Sequence, residues 1–171
     1  MPEISNRWSQ GEISNIEYIN YLNVLGNRSH NDLSQYPIFP WIFHNYDSDF
    51  DLKNSEMYRD LTKPIGAINK HRLRKLKDFY ELQAKDKTVS HPPHLYSTHY
   101  STPGYVAYYL IRKIPEFVVR LQNGVFNPSD RIFRCIYSTY YSTMNSNADF
   151  KELSPEFYSM DCDFLVNSQK L

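Results

Sequence analysis

Three histidines, His91, His94 and His99, fall within one short stretch, and neutral imidazole is a frequent metal ligand. A zinc site needs a fourth ligand at a workable spacing, and no cysteine lies near these three. They read instead as hydrogen-bonding groups of an extended segment. Asp47, Asp49 and Asp51 occupy the first three ligand positions of a calcium loop. The sixth position is then Leu52 where glycine is required, and the twelfth is Tyr58 where a bidentate glutamate is required, so a solvated acidic turn is expected. Lys70, Arg72, Arg74, Lys75 and Lys77 form the most basic stretch, KHRLRKLK, whose chemistry suits phosphate or an anionic membrane surface. Because they fall largely between apolar stripe positions, the same residues also describe an ordinary solvated helix face. Cys135 and Cys162 fit no metal or redox spacing and read as reduced thiols. There is no G-x-S-x-G elbow, no Walker-type phosphate loop and no dinucleotide fingerprint. With five glycines in the whole chain, a backbone-amide phosphate cradle is not expected either. The expectation is a non-enzymatic protein with no cofactor and no small-molecule substrate.

Nineteen basic and nineteen acidic residues cancel over 171 positions, which is not the basic footprint of a nucleic-acid binder. Aromatic residues make up 16 % of the chain, ample for a core. The start MPEISNRWSQ has no apolar segment of the signal-peptide kind, and the run YVAYYLI is far shorter than a bilayer span of about 20 residues. A cytoplasmic location is expected, with the Asn27-Arg28-Ser29 sequon carrying no glycan.

The elements that hold these residues read as mainly α. Ser14 and Glu17 make a capping box, followed by Ile16, Tyr18, Ile19, Leu22 and Leu25 at helical spacing, with Gly26 as the stop. A helix from about Lys70 carries Leu73, Leu76, Phe79 and Tyr80 on one stripe. Residues 102–114 read as a helix ended by Pro115, and Asn127-Pro128-Ser129-Asp130 as the start of another. Ile132, Phe133, Ile136, Tyr137, Tyr140, Tyr141 and Met144 mark the apolar face of that last helix. A short helix is expected around 149–153, then extended aromatic-rich chain.

Between residues 28 and 69 the periodicity disappears, although the segment is rich in large apolar side chains. Its centre, QYPIFPWIF, cannot be a central strand or a helix, because Pro37 and Pro40 each remove a donor. Together with this ribbon, the blocks RWSQGEISNIEYINYLNVLGNRSHNDLSQYPIFPWI, YRDLTKPIGAIN, LYSTHYST, DRIF and KELSPEF resemble the signature blocks of the BEACH domain, in family order from about Arg7 to Asn167.

The resemblance implies a fold that is mainly α, with long extended, largely unpaired segments in its core. It also implies that residues 1–171 are the N-terminal part of a longer BEACH domain. The C-terminal half, the PH-like domain and the WD40 repeats found in relatives lie outside this sequence. Buried unpaired backbone needs side-chain or water partners. The polar signature residues Asn31, Arg59, Asp60, His99, Glu152 and Glu156 are expected to supply them. Pro37, Pro40 and Pro64 are expected to delete donors and stiffen chain, Trp41 to supply buried area, and Lys63, Gly66, Tyr100 and Pro155 complete the signature. Two departures from the family stand out: His94-Leu95 before the Tyr-x-Thr-His-Tyr-Ser block, and Ile114 where an acid usually precedes the proline. The implied function is a scaffold in vesicle and lysosome trafficking that docks a PH-like domain. The rival expectations are a remnant without independent function and a peripheral endomembrane binder using the 70–77 helix face.

Overall fold

The computed structural model describes every residue apart from 1, 48, 89, 97–101, 126–131, 160, 169 and 171. The chain divides into two compact units. The first comprises Met1–Phe39, Ser101–Phe133 and Leu153–Leu171, and the second Pro40–Tyr100 and Arg134–Glu152. Among the described residues there are seven α-helices, four 3-10 turns and no named strand. Two isolated antiparallel bridges, Phe39 with Leu153 and Phe43 with Tyr58, are the β structure seen there.

In the first unit, α1 (Pro2–Ser9) precedes α2 (Asn15–Leu25). The Ser14 capping box forms as the sequence predicts, with the Ser14 amide donating to Glu17 Oε2 and the Glu17 amide donating to Ser14 Oγ. The stop at Gly26 has a different origin from the one expected. Gly26 keeps a negative φ, and the left-handed residue is Asn27 at φ 56°. The Asn27 amide then donates to Val24 O and the Arg28 amide to Asn23 O, closing the helix by a Schellman pair. The apolar stripe is also not a core face, since Ile16, Leu22 and Leu25 are exposed. The side chain that α2 buries is Asn23.

Pro115 does not end a helix. It occupies the first turn of α6 (Pro115–Leu121), while α5 (Pro103–Tyr109) stops six residues before it. Proline's missing donor is harmless at that position, which is why the same residue can start a helix and bar its continuation. Arg112, two residues before Ile114, lies over the Phe133 ring at 5.1 Å and donates to Leu165 O. Tyr109, Phe133, Phe157 and Phe164 make edge-to-face contacts through this core.

In the second unit, an extended segment leads to α3 (Ile65–Ile68), α4 (Lys70–Lys85) and, much later in the chain, α7 (Ile136–Asn145). The expected start at 127–130 lies outside the described residues. The helix that follows begins at Ile136 under a Cys135 cap, and Ile132 and Phe133 precede it in non-helical chain. Its buried residues are Thr139, Tyr140 and Thr143, whereas Tyr137 and Tyr141 are exposed. The threonine hydroxyls are satisfied locally, by Cys135 O and Tyr140 O, so the inward face is more polar than the aromatic pattern implied. Residues 149–153 are extended rather than helical, with Leu153 paired to Phe39. On α4 the stripe is shifted. Arg72 and Leu76 are buried, while Phe79 and Tyr80 are exposed.

Gly66 shows how closely this unit packs. A Cβ there would lie 2.6 Å from the Tyr96 ring. Gly66→Ala is expected to destabilise the chain by about 1–3 kcal/mol in urea unfolding, the usual range for forced overpacking.

Candidate functional site

The ribbon QYPIFPWIF answers its own backbone problem through side chains drawn from elsewhere in the sequence. Tyr36 O accepts from Arg28 Nη1 at 2.9 Å. Ile38 is bracketed by Asn23, which accepts from the Ile38 amide at 2.8 Å and donates back to Ile38 O at 2.9 Å. Phe39 exchanges both hydrogen bonds with Leu153, at 2.9 and 2.8 Å. Pro37 and Pro40 have no amide to satisfy. The Trp41 amide donates to Glu152 Oε2 at 3.0 Å, and Trp41 O accepts from Arg59 Nη1 at 3.3 Å. Ile42 O accepts from the Arg59 amide at 2.8 Å. The Ile42 and Phe43 amides both donate to Tyr46 Oη, at 3.2 and 3.3 Å. A sheet neighbour would make all of these bonds with backbone; here, apart from the Phe39–Leu153 and Arg59–Ile42 backbone bonds, the side chains of Asn23, Arg28, Arg59, Glu152 and Tyr46 replace it.

The centre of the second unit is the pair Arg59 and Glu152. Arg59 Nη1 and Nη2 each donate to one Glu152 oxygen at 2.9 Å, a bidentate fork. The two side chains are only 4 and 9 % exposed. The same guanidinium also holds Lys63 O at 3.1 Å, so one arginine pins the ribbon, the turn at Lys63 and the 151–152 segment together. Trp41 is fully buried beside it, donating its indole N–H to Lys151 O at 3.0 Å. Its ring packs on Tyr46 and Tyr140, with centroids 5.1 and 5.2 Å away.

The remaining signature residues divide by position. Asp60 is exposed and shapes the turn, accepting from the Thr62 amide and from Lys63 Nζ. Those donors hold its carboxyl down at about 2. Pro64 caps α3 without a side-chain hydrogen bond. Pro155 opens a 3-10 turn, and Glu156 accepts from Tyr36 Oη at 2.6 Å. Asn31 does not serve buried backbone. It is exposed at a turn, and the buried asparagine that does the work is Asn23, eight positions earlier. His99 and Tyr100 lie outside the described residues. His91 and His94 pack with tilted rings, centroids 5.0 Å apart, both near Pro92 O. Among the described residues no group of three or more His, Cys, Asp or Glu is placed to hold a metal ion.

Arg72 corrects the reading of the basic stretch. It is 2 % exposed, so it is unavailable to an anionic surface, whereas Lys70, Arg74, Lys75 and Lys77 are exposed. Its guanidinium donates to Thr143 O, Ser146 O and Asp149 O at the end of α7 and beyond, and to Ile65 O at the start of α3. A cation at a helix C-terminus is favourable for orphan carbonyls and dipole alike. It also lies 4.8 Å from the centre of the Phe150 ring.

Asn23→Ala removes both partners of Ile38 and is expected to cost about 2–3 kcal/mol, the cost of buried unsatisfied backbone groups. Asn31→Ala is expected to change stability by less than about 0.5 kcal/mol, as exposed substitutions do. Urea unfolding of the two variants side by side distinguishes these roles.

Burial, aided by the Glu156 carboxylate, raises the Tyr36 phenol well above its usual value, and burial pushes Tyr140 up to about 12. A raised phenol contributes stability that is intact below the unfolded value of about 10 and is lost as pH climbs through the folded one. Urea midpoints are therefore expected to fall between about pH 10 and 12. Tyr140→Phe should lessen that fall, and a midpoint unchanged across the window would contradict it.

Comparison with known proteins places the chain in a family. The Beige/BEACH domain family model matches residues 6–171. Beige protein homolog 1 of Saccharomyces cerevisiae is 43 % identical over 169 residues, covering 96 % of this chain and 8 % of that protein. BEACH domain-containing protein lvsE of Dictyostelium discoideum is 42 % identical over 171 residues, covering 98 % and 8 %. BEACH domain-containing protein B of Arabidopsis thaliana is 40 % identical over 166 residues, covering 95 % and 6 %. The chain thus spans less than a tenth of the length of these curated relatives. With the family model matching nearly its whole length, this chain belongs to the Beige/BEACH domain family.

Proposed function

We propose that the chain is a non-enzymatic protein-interaction module, acting as part of a scaffold in vesicle and lysosome trafficking on the cytoplasmic side of endomembranes. The observation that carries this reading is the direction of its polar groups. The buried charged side chains Arg59, Glu152 and Arg72 hold the chain's own backbone, while bulky apolar residues face outward. Family membership supports the same reading. The partner is a PH-like domain of a BEACH protein. Calorimetric titration of such a domain into the chain is expected to give a saturable one-to-one complex, and no heat of binding would overturn that pairing.

A second reading is favoured by the exposed Lys70, Arg74, Lys75 and Lys77 of α4, which suit the anionic cytoplasmic leaflet. Sedimentation with phosphatidylserine vesicles, lost on raising salt, would support it; no sedimentation at low salt would remove it. Near-UV circular dichroism decides the third. A chain without fixed aromatic packing would be the remnant expected as a rival, whereas the ordered ring contacts of both units favour a strong signal.

A further inference from the structure

The described residues between the Phe43–Tyr58 bridge partners are tied together, although most of them are exposed. Asn45, Asp51 and Asn54 each accept from the amide two residues on, setting three successive turns. Tyr58 Oη donates to Leu52 O at 2.8 Å, and the Phe50 ring lies 4.6 Å from that of Phe43. Phe43 in turn contacts Tyr46, which packs on buried Trp41. This framework presents apolar side chains outward, with Phe50 47 %, Leu52 62 % and Tyr58 41 % exposed. Exposed apolar surface that is already ordered loses little entropy when covered, and aromatic residues are typical binding hot spots.

The charge around this patch states what can cover it. Asp47, Asp49, Asp51 and Glu56 are exposed against one base, Lys53, a local charge of −3 in a chain that is neutral overall. An anionic bilayer or a nucleic acid would be repelled. A basic chain would be steered in, and arginine has the further advantage of stacking on aromatic faces.

We propose that Phe50, Leu52 and Tyr58, with the carboxylates of Asp47, Asp49, Asp51 and Glu56 around them, dock a short basic peptide whose bulky aliphatic side chains cover the three apolar residues while flanking Lys or Arg residues pair with the four carboxylates. This rests on the reading of the chain as an interaction module and names the class of a partner segment.

The test uses the whole chain and a fluorescent peptide with two leucines between pairs of arginines, followed by anisotropy. Saturable binding is expected. It should weaken at least tenfold in the chain carrying Asp47→Asn, Asp49→Asn and Glu56→Gln, which keeps side-chain shape, and similarly in Phe50→Ala with unchanged circular dichroism. The same peptide with glutamates for arginines should not bind. No saturable binding, or equal binding by the neutralised chain, overturns the proposal. Self-association that disappears in the neutralised chain also overturns it, since the occupant would then be a second copy. A chain that binds a PH-like domain but not the peptide leaves the module reading standing and sinks only this one.

Discussion

Replacing Arg59 by alanine is expected to destabilise the chain by about 3–5 kcal/mol, the cost of breaking a buried ion pair from one side. That is a large share of the roughly 5–15 kcal/mol that holds an ordinary domain together. The loss has three sources. The Glu152 carboxylate, 9 % exposed, is left without its guanidinium. Trp41 O and Lys63 O lose their charged donor. The ribbon also loses the side chain that ties it to the 151–152 segment. In urea the midpoint should drop with little change in slope. Arg59→Lys should recover little of the loss, because an ammonium cannot reproduce a planar fork that serves two carboxylate oxygens and two carbonyls at once. Combining Arg59→Ala with Glu152→Gln should cost at least about 1 kcal/mol less than the sum of the single changes, since the two groups act as one unit. A loss below about 1 kcal/mol for Arg59→Ala would mean that the fork is incidental.

Arg72→Leu is expected to cost a similar amount, about 3–5 kcal/mol, because several buried carbonyls lose a charged donor at about 1–3 kcal/mol each, although it removes a positive charge from the most basic stretch of the chain. Leucine fills much of the space but cannot donate. Ile65 O, Thr143 O, Ser146 O and Asp149 O would all lose this donor inside the unit. Arg74→Leu, two positions on, alters an exposed side chain and should stay within about 0.5 kcal/mol. For a chain of this size the first variant should melt about 6–20 °C lower and the second nearly unchanged. Equal effects from the two arginines would contradict the inward placement of Arg72.

These two arginines also show where the sequence was legible and where it was not. Arg59 sits in a motif specific enough to identify the family, so an architectural task was expected of it. Arg72 sits in a run of bases that looks like a solvated face, and nothing in composition separates it from Arg74. The available signal was register: Arg72 lies four residues before Leu76, on the side of α4 that the fold buries. Asn23 gave a comparable hint, because asparagine is a poor helix-interior residue and stands in an otherwise apolar stretch of α2. Periodicity placed α2 and α4 well, but it could not say which apolar stripe the fold covers. The exposed Leu22, Leu25 and Phe79 follow the same pattern as buried residues would. Aromatic spacing misled at α7, where the helix turns Thr139 and Thr143 inward. Local propensity also cannot foresee that 149–153 would be held extended by a pairing with Phe39, more than a hundred residues earlier. Within the ribbon, the two prolines excluded helix and central strand correctly. The identity of the side chains that replace a sheet partner depends on contacts distant in sequence, and only the structure brings them together.

The central claim is that side chains protect an extended core segment as well as a sheet would. Hydrogen exchange of the native chain, resolved by residue, tests it directly. The amides of Ile38, Trp41, Ile42 and Phe43, each held by a side chain, are predicted to exchange as slowly as those in the middle of α4, because opening any of them requires breaking that bond. Exchange of Ile38 and Trp41 at the rate of exposed turn amides such as Asp47 would contradict it. The ribbon would then be open to water, and Asn23, Arg59 and Glu152 would not be what holds it.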